Sequence, residues 1–165
     1  MKKISILGST GSIGLQALDV IRLNPDDLKV VALAGGSNIN VVESQVREFK
    51  PEIVSVPKEE DFRQLRDNLR DHVYPAKIYC GSEGLEGAAT AESADLVVGA
   101  LPGSLGLRPA FLTVRKGKDL ALATKEVLVL AGKHFMDEVS YNDQGNEVTL
   151  IKRRKGGARQ VPGEG

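Results

Sequence analysis

The chain has 165 residues, of which 41% are apolar and 4% aromatic, and it contains no tryptophan. That length suits one domain with an aliphatic core. The 22 basic residues balance the 22 acidic residues, which argues against a dedicated nucleic-acid-binding protein because such proteins carry a basic excess.

Cysteine content and apolar runs together predict a cytoplasmic protein. Cys80 is the only cysteine, which excludes an internal disulfide framework and favours a reducing compartment. We expect its thiol to be half-buried and inert in a strand. The basic Met-Lys-Lys start is not followed by a signal-peptide core, because the apolar run breaks at Gly8. No apolar run approaches the roughly 18 residues of a membrane span, so no membrane contact is expected.

Short apolar runs alternate with segments of helical periodicity along the chain. In chain order the predicted elements are strand Ile4–Leu7, helix Ile13–Leu23, strand Lys29–Leu33, helix Asn40–Phe49, strand Ile53–Val56, helix Lys58–Arg70, strand Lys77–Cys80, helix Ser82–Ala91, strand Asp95–Leu101, helix Leu107–Arg115, strand Leu120–Ala123 and helix Lys125–Met136. Continuous apolar strands between helices are typical of a parallel sheet buried on both faces. The predicted fold is α/β, a doubly wound, mostly parallel, Rossmann-like sheet with helices on both faces.

The alternation stops near Ser140. After it, one strand is predicted over Val148–Ile151, and residues 152–165 carry five basic residues, one acid, four glycines and one proline. Such a segment lacks the apolar area to order itself. The sequence therefore predicts a domain over residues 1–140 and a divergent, partly disordered tail over 141–165, with a nucleic-acid-binding tail as the alternative.

Three glycines, Gly8, Gly11 and Gly14, stand in ILGSTGSIG between the first strand and the first helix. In a doubly wound sheet this turn binds the pyrophosphate of a nucleotide, on the free N–H groups and positive dipole end of the helix. The hydroxyls of Thr10 and Ser12 can add hydrogen bonds. The alternative is a plain strand-to-helix turn. An ATP-binding P-loop is excluded because no Gly-Lys-Ser/Thr follows.

The end of the second strand favours NADPH over NADH. NAD sites place an acid there, on the ribose 2′-hydroxyl, whereas this strand ends in Ala-Gly-Gly-Ser-Asn without an acid or an arginine. Gly36, Ser37 and Asn38 can donate hydrogen bonds to a 2′-phosphate. At Gly11 we expect a valine to fill the space of the pyrophosphate and to resist the backbone angles of the turn.

The series GSTGSIG, LDVIR, VVALAGGSN, LVVGALPGSLGLRPA and GKDLALATKEVLVLAG resembles the NADPH-binding domain of 1-deoxy-D-xylulose-5-phosphate reductoisomerase over about residues 1–139. The resemblance implies a homodimeric, cytoplasmic enzyme of non-mevalonate isoprenoid synthesis. That family converts 1-deoxy-D-xylulose 5-phosphate, a sugar phosphate, to 2-C-methyl-D-erythritol 4-phosphate with NADPH and a divalent metal, manganese or magnesium.

The resemblance also implies site residues. Lys125 would contact the substrate, and a cation near the carboxyl edge of the sheet suits an anionic sugar phosphate. Thr124 stands where the family usually has the asparagine of Ala-Asn-Lys-Glu, which weakens a cofactor contact there. The implied NADPH contacts are Thr10, Gly11, Ser12, Ile13, Gly36, Ser37, Asn38, Thr124 and Glu126.

The metal-binding acids of the family are not found in this sequence. The expected Asp-Ser-Glu-His run does not follow the first domain, and Asp137 and Glu138 are adjacent residues that would face different directions on a helix. His72 and His134 stand without partner ligands. Three readings stay open: a reductoisomerase, an NADPH-binding module without catalysis, or another NADPH-dependent reductase resembling dihydrodipicolinate reductase. We expect the 165-residue chain by itself to be inactive.

Overall fold

The computed structural model describes residues 1–70 and 76–123, together with the backbone of strands 138–141 and 148–151. The chain forms two compact units, Met1–Leu128 and Val129–Gly165. In the first unit the strands are β1 (Lys2–Leu7), β2 (Leu28–Ala34), β3 (Ile53–Val56), β4 (Lys77–Cys80), β5 (Leu96–Gly99) and β6 (Asp119–Leu122). Its helices are α1 (Ser12–Leu23), α2 (Ile39–Phe49), α3 (Glu59–Asn68), α4 (Gly81–Ala89) and α5 (Leu107–Arg115).

The six strands of the first unit form one parallel sheet in the order β4-β3-β2-β1-β5-β6. The chain runs outward from β1 to β4 and then crosses back to place β5 on the free side of β1. The strand order therefore reverses between β1 and β5, which is the position where open α/β sheets bind their ligands. The predicted fold class is confirmed.

Both faces of this sheet are covered by aliphatic side chains. Along β1, Ile4 and Ile6 lie in one buried cluster with Leu18 of α1 and Leu33 of β2. Leu7 belongs to the cluster on the other face, with small residues of α4 such as Ala88. This alternation along a strand buries the whole sheet, as the continuous apolar runs predicted.

Element positions match the sequence predictions closely, with two exceptions. The fifth strand was predicted over Asp95–Leu101 but covers only Leu96–Gly99. The Ala100 N–H still donates to the Leu7 carbonyl at 2.8 Å, and its own carbonyl lies against Gly8. In the second unit, the predicted strand Val148–Ile151 pairs antiparallel with an unpredicted strand, Glu138–Tyr141. These are β8 and β7.

Other predictions for the second half of the chain are not tested. The helix over Lys125–Met136 and the disorder of the tail concern residues outside those described, and the boundary near residue 140 stays a prediction. Among the helices that the structure describes, none has the length and apolar character needed to cross a membrane.

Cys80 lies half-buried at the end of β4, as predicted. Its Sγ donates to Oε2 of Glu59 at 3.2 Å, and this hydrogen bond, reinforced by burial, raises the pKa of the thiol. Less thiolate at a given pH means slower alkylation.

We expect Glu59→Gln to lower the pKa of Cys80 and, at pH values below that pKa, to speed the reaction of the thiol with iodoacetamide, measured by mass spectrometry. Glu60→Gln, an exposed neighbour, is the control, and equal rates in both variants would contradict the assignment.

Candidate functional site

Two glycines of the loop between β1 and α1 are required by the fold. Gly8 has a φ of +90°, and a Cβ at this residue would lie 2.6 Å from the carbonyl oxygen of Ala100. A Cβ at Gly14 would lie 2.2 Å from the carbonyl oxygen of Gly8. Gly14 therefore lets α1 approach the backbone of the loop.

Gly11 differs from these two glycines. Its φ of −79° and ψ of 168° are open to any residue, and a Cβ there would meet only the Gly8 carbonyl oxygen, at 3.4 Å. The expectation that valine would resist the backbone angles at Gly11 is therefore wrong. The fold therefore does not require glycine here. Because Gly11 has no side chain, the space in front of α1 is open.

The start of α1 has the properties of an anion site. Gly11 is the N-cap residue and gives no side-chain cap, and the first turn holds no acid. The first hydrogen bond of the helix runs from the Leu15 N–H to the Gly11 carbonyl at 2.9 Å, so helix geometry leaves the N–H groups of Ser12 and Ile13 without an intrahelical acceptor. Both residues are exposed. Free N–H groups and the positive dipole end together attract a phosphate.

Hydrogen bonds from neighbouring segments hold this loop in place. The Gly36 N–H donates to Oγ1 of Thr10 at 2.9 Å. Ser9 Oγ donates to Oε1 of Gln45 at 2.7 Å, and Gln45 Nε2 donates to the Ser9 carbonyl at 2.9 Å, both out of solvent. The Gly36 N–H is thus used within the protein, while the Thr10 hydroxyl accepts there and keeps its own proton for a ligand. Gln45 was not predicted as a site residue.

At the end of β2 the structure places an acid that sequence position did not indicate. Ser37 Oγ donates to Oδ2 of Asp61, at 3.2 Å. Asp61 comes from the first turn of α3 and is only 9% exposed. Asn38 caps α2, with its Oδ1 accepting from the Val41 N–H at 3.5 Å. No acid follows β2 in the sequence, as expected. In the folded structure, however, the Asp61 carboxylate lies beside Ser37 at this end of the strand.

A cavity of about 640 Å³ runs along the carboxyl edge of the sheet. It is lined by the segments that follow β1 to β5, including the predicted site residues Thr10, Gly11 and Gly36. The volume is in the range of small-molecule and cofactor sites. The other predicted residues of these loops, Ser12, Ile13, Ser37 and Asn38, are exposed.

The remaining predicted site residues, Thr124, Lys125 and Glu126, lie outside the described residues. The structure does describe the strand before them, where the Ala123 N–H donates to the Gly99 carbonyl at 3.0 Å. Within residues 1–70 and 76–123, no group of three or more histidine, cysteine, aspartate or glutamate side chains is placed to hold a metal ion.

Comparison with known proteins identifies the family of this fold and loop. The family model described as 1-deoxy-D-xylulose 5-phosphate reductoisomerase matches residues 4–132. The enzyme of that name from Geotalea uraniireducens is 47% identical over 139 residues, which are 84% of this chain and 36% of that protein. The one from Agathobacter rectalis is 52% identical over 132 residues, 80% of this chain and 34% of that protein. The chain thus spans about a third of the length of these relatives.

Solved structures agree with the sequence comparison. The structure of DOX-P reductoisomerase in complex with NADPH, fosmidomycin and magnesium matches with a TM-score of 0.75 and 35% identity, over 80% of this chain and 32% of that one. The Zymomonas mobilis reductoisomerase in complex with NADPH matches with a TM-score of 0.73 and 31% identity, over 79% of this chain and 34% of that one. This chain belongs to the 1-deoxy-D-xylulose 5-phosphate reductoisomerase family.

Proposed function

We propose that this chain binds NADPH, with the pyrophosphate on the N–H groups at the start of α1. The observation that carries the proposal is Gly11, a glycine that the fold does not need, at the uncapped end of a helix beside the cavity. A side chain at this position would fill the space that a phosphate needs to reach the backbone. The plain-turn alternative explains Gly8 and Gly14 but not Gly11.

NADPH is the dinucleotide that the relatives support. Two matched structures contain it by their descriptions, and Gly11 leaves the space that its pyrophosphate requires. When bound, the cofactor supplies a hydride. The residues of this chain bind and orient it: Ser12 and Ile13 through their N–H groups, and Thr10 through its hydroxyl. Saturable one-to-one binding in the micromolar range, measured by calorimetric titration of the 165-residue chain, tests the proposal.

We propose that the chain serves the conversion of 1-deoxy-D-xylulose 5-phosphate to 2-C-methyl-D-erythritol 4-phosphate, in a cytoplasmic homodimer, with Lys125 holding the anionic sugar phosphate. The matched structure with fosmidomycin and magnesium supports an anionic substrate and a metal. The described residues do not form a ligand set for that metal.

A further expected result concerns turnover. We expect the 165-residue chain, given NADPH, magnesium and 1-deoxy-D-xylulose 5-phosphate, to show no substrate-dependent loss of nicotinamide absorbance. The reason is that this rearrangement needs a metal to stabilise developing negative charge, and the family's Asp-Ser-Glu-His run is not in the sequence. Steady turnover that disappears in Lys125→Ala would contradict the expectation and would favour a complete active site over an NADPH-binding module.

A further inference from the structure

Asp61 is a buried carboxylate with unused hydrogen-bonding capacity. Asp61 is only 9% exposed to solvent. Its Oδ2 accepts a hydrogen bond from Ser37 Oγ at 3.2 Å. Within the described part of the chain, no other side chain forms a hydrogen bond or ion pair with this carboxylate. A buried carboxylate stays charged at a lower free-energy cost when further donors reach it. A ligand hydroxyl is such a donor.

Asp61 lies beside the segment that follows β2, where dinucleotide-binding sheets recognise the ribose. Ser37 lies three residues after the end of β2. Between them, the Gly36 N–H donates to Oγ1 of Thr10, in the loop between β1 and α1. In dinucleotide-binding sheets the end of the second strand reads the 2′-position of the adenosine ribose, and an acid there accepts a hydrogen bond from the 2′-hydroxyl of NAD. In this chain α3 supplies the acid from a neighbouring element.

Asp61 has no cationic side chain as a partner among the described residues. Lys58, the residue before α3, has its Nζ 3.9 Å from Oε1 of Glu60, and the described lysines and arginines form no ion pair with Asp61. A 2′-phosphate placed near Ser37 would therefore meet a carboxylate that no described ion pair neutralises, whereas a 2′-hydroxyl would meet an acceptor.

We propose that Asp61, held by Ser37, is a specificity-determining residue that reads the 2′-position of the bound dinucleotide. It accepts a hydrogen bond from the ribose 2′-hydroxyl of NADH and repels the 2′-phosphate of NADPH. The NADPH-to-NADH affinity ratio of this chain is therefore smaller than the sequence at the end of β2 indicates. This proposal rests on the proposed dinucleotide site.

A purely structural role makes a different prediction. An aspartate in the first turn of a helix stabilises that helix through the dipole, and the hydrogen bond from Ser37 ties α3 to the β2–α2 turn. Loss of that role would lower the melting temperature and weaken both dinucleotides alike. The ratio of the two affinities therefore separates recognition from structure.

The experiment is calorimetric titration of NADPH and NADH into the wild-type chain, Asp61→Asn and Glu60→Gln. Asparagine keeps the size of the side chain and removes its charge. We expect Asp61→Asn to raise the NADPH-to-NADH affinity ratio about five- to tenfold, because removing one unit charge near a phosphate is worth roughly that factor at a partly solvated site. Glu60→Gln removes an exposed charge from the same turn and should leave the ratio within about twofold, since exposed charges are screened by water and salt.

The outcomes separate this proposal from the proposed function. If the wild-type chain binds both dinucleotides and Asp61→Asn leaves their ratio unchanged, the role of Asp61 is overturned and the dinucleotide site stands. If the wild-type chain binds neither, both proposals fail. Asp61→Ser, which also removes the charge, replaces Asp61→Asn if thermal melting shows that the asparagine variant does not fold, and the same rise in the ratio is expected.

Discussion

Gly11→Val should abolish NADPH binding and leave the fold intact. The φ of −79° at Gly11 suits valine, and an added Cβ meets only the Gly8 carbonyl oxygen, at 3.4 Å. The branched side chain would instead occupy the space in front of the Ser12 and Ile13 N–H groups, where the pyrophosphate is proposed to lie. Calorimetric titration with NADPH measures binding, and thermal melting followed by circular dichroism measures the fold.

Gly87→Val is the matched control. Gly87 lies in α4, and an added Cβ has no neighbour within 4 Å outside its own helix. This variant should bind NADPH as the wild-type chain does. If Gly11→Val also binds at wild-type strength, the loop is only a turn and the proposed pyrophosphate position is wrong. Loss of binding together with loss of the fold would contradict the inference that Gly11 is free of structural demand.

Gly14→Ala should strongly destabilise the first unit. The added methyl group would lie 2.2 Å from the Gly8 carbonyl oxygen and 2.7 Å from the Ser9 Cα, both of them backbone atoms held in place by the β1–α1 turn. Overpacking of this kind costs about 2–3 kcal/mol of unfolding free energy, or more where the backbone has to move. Chemical denaturation with urea measures the change.

The same substitution at another helical glycine gives the control. Gly87→Ala should stabilise the fold slightly, by about 0.5–1 kcal/mol, because alanine is a better helix former than glycine and the methyl group meets open space. Opposite signs for the two Gly→Ala variants are the expected result. Equal stability of Gly14→Ala and the wild-type chain would show that α1 can shift away from the loop without cost.

The sequence predicted the parallel sheet because its strands are short and apolar throughout. Ile53–Val56, for example, is a strand with the predicted bounds, because both faces of a central strand are buried and the apolar run ends where the strand leaves the sheet. The fifth strand was predicted too long for the same reason. Ala100 and Leu101 are apolar and line the cavity beyond the end of β5.

The site was predicted in part. A glycine-rich turn behind a strand is typical of the ligand-binding turn in a doubly wound sheet, so local sequence pointed to Thr10 and Gly11, which line the cavity. Their contacts with a cofactor stay a prediction. Local sequence could not show which of the three glycines the fold needs. That depends on the distance from Gly8 to the Ala100 carbonyl and from Gly14 to the Gly8 carbonyl. The structure assigns the steric need to Gly8 and Gly14.

Long-range contacts explain what the sequence did not indicate. Gln45 reaches Ser9 across 36 residues, and Asp61 reaches Ser37 across 24. Each contact depends on how a helix packs against a loop at the edge of the sheet, which local patterns do not specify. The acid at the end of β2 therefore had no signal at the position where dinucleotide motifs place it.

A titration of the ¹⁵N-labelled chain with NADPH, followed by amide chemical-shift mapping, tests the proposed position of the pyrophosphate at the start of α1. The proposed site predicts saturable shifts that are largest at the amides of Gly11, Ser12 and Ile13, with a second set at the end of β2. Largest shifts in the cleft between α1 and α2, which is lined by Asp19, Arg22 and Glu48, would contradict the account, as would a spectrum that does not change.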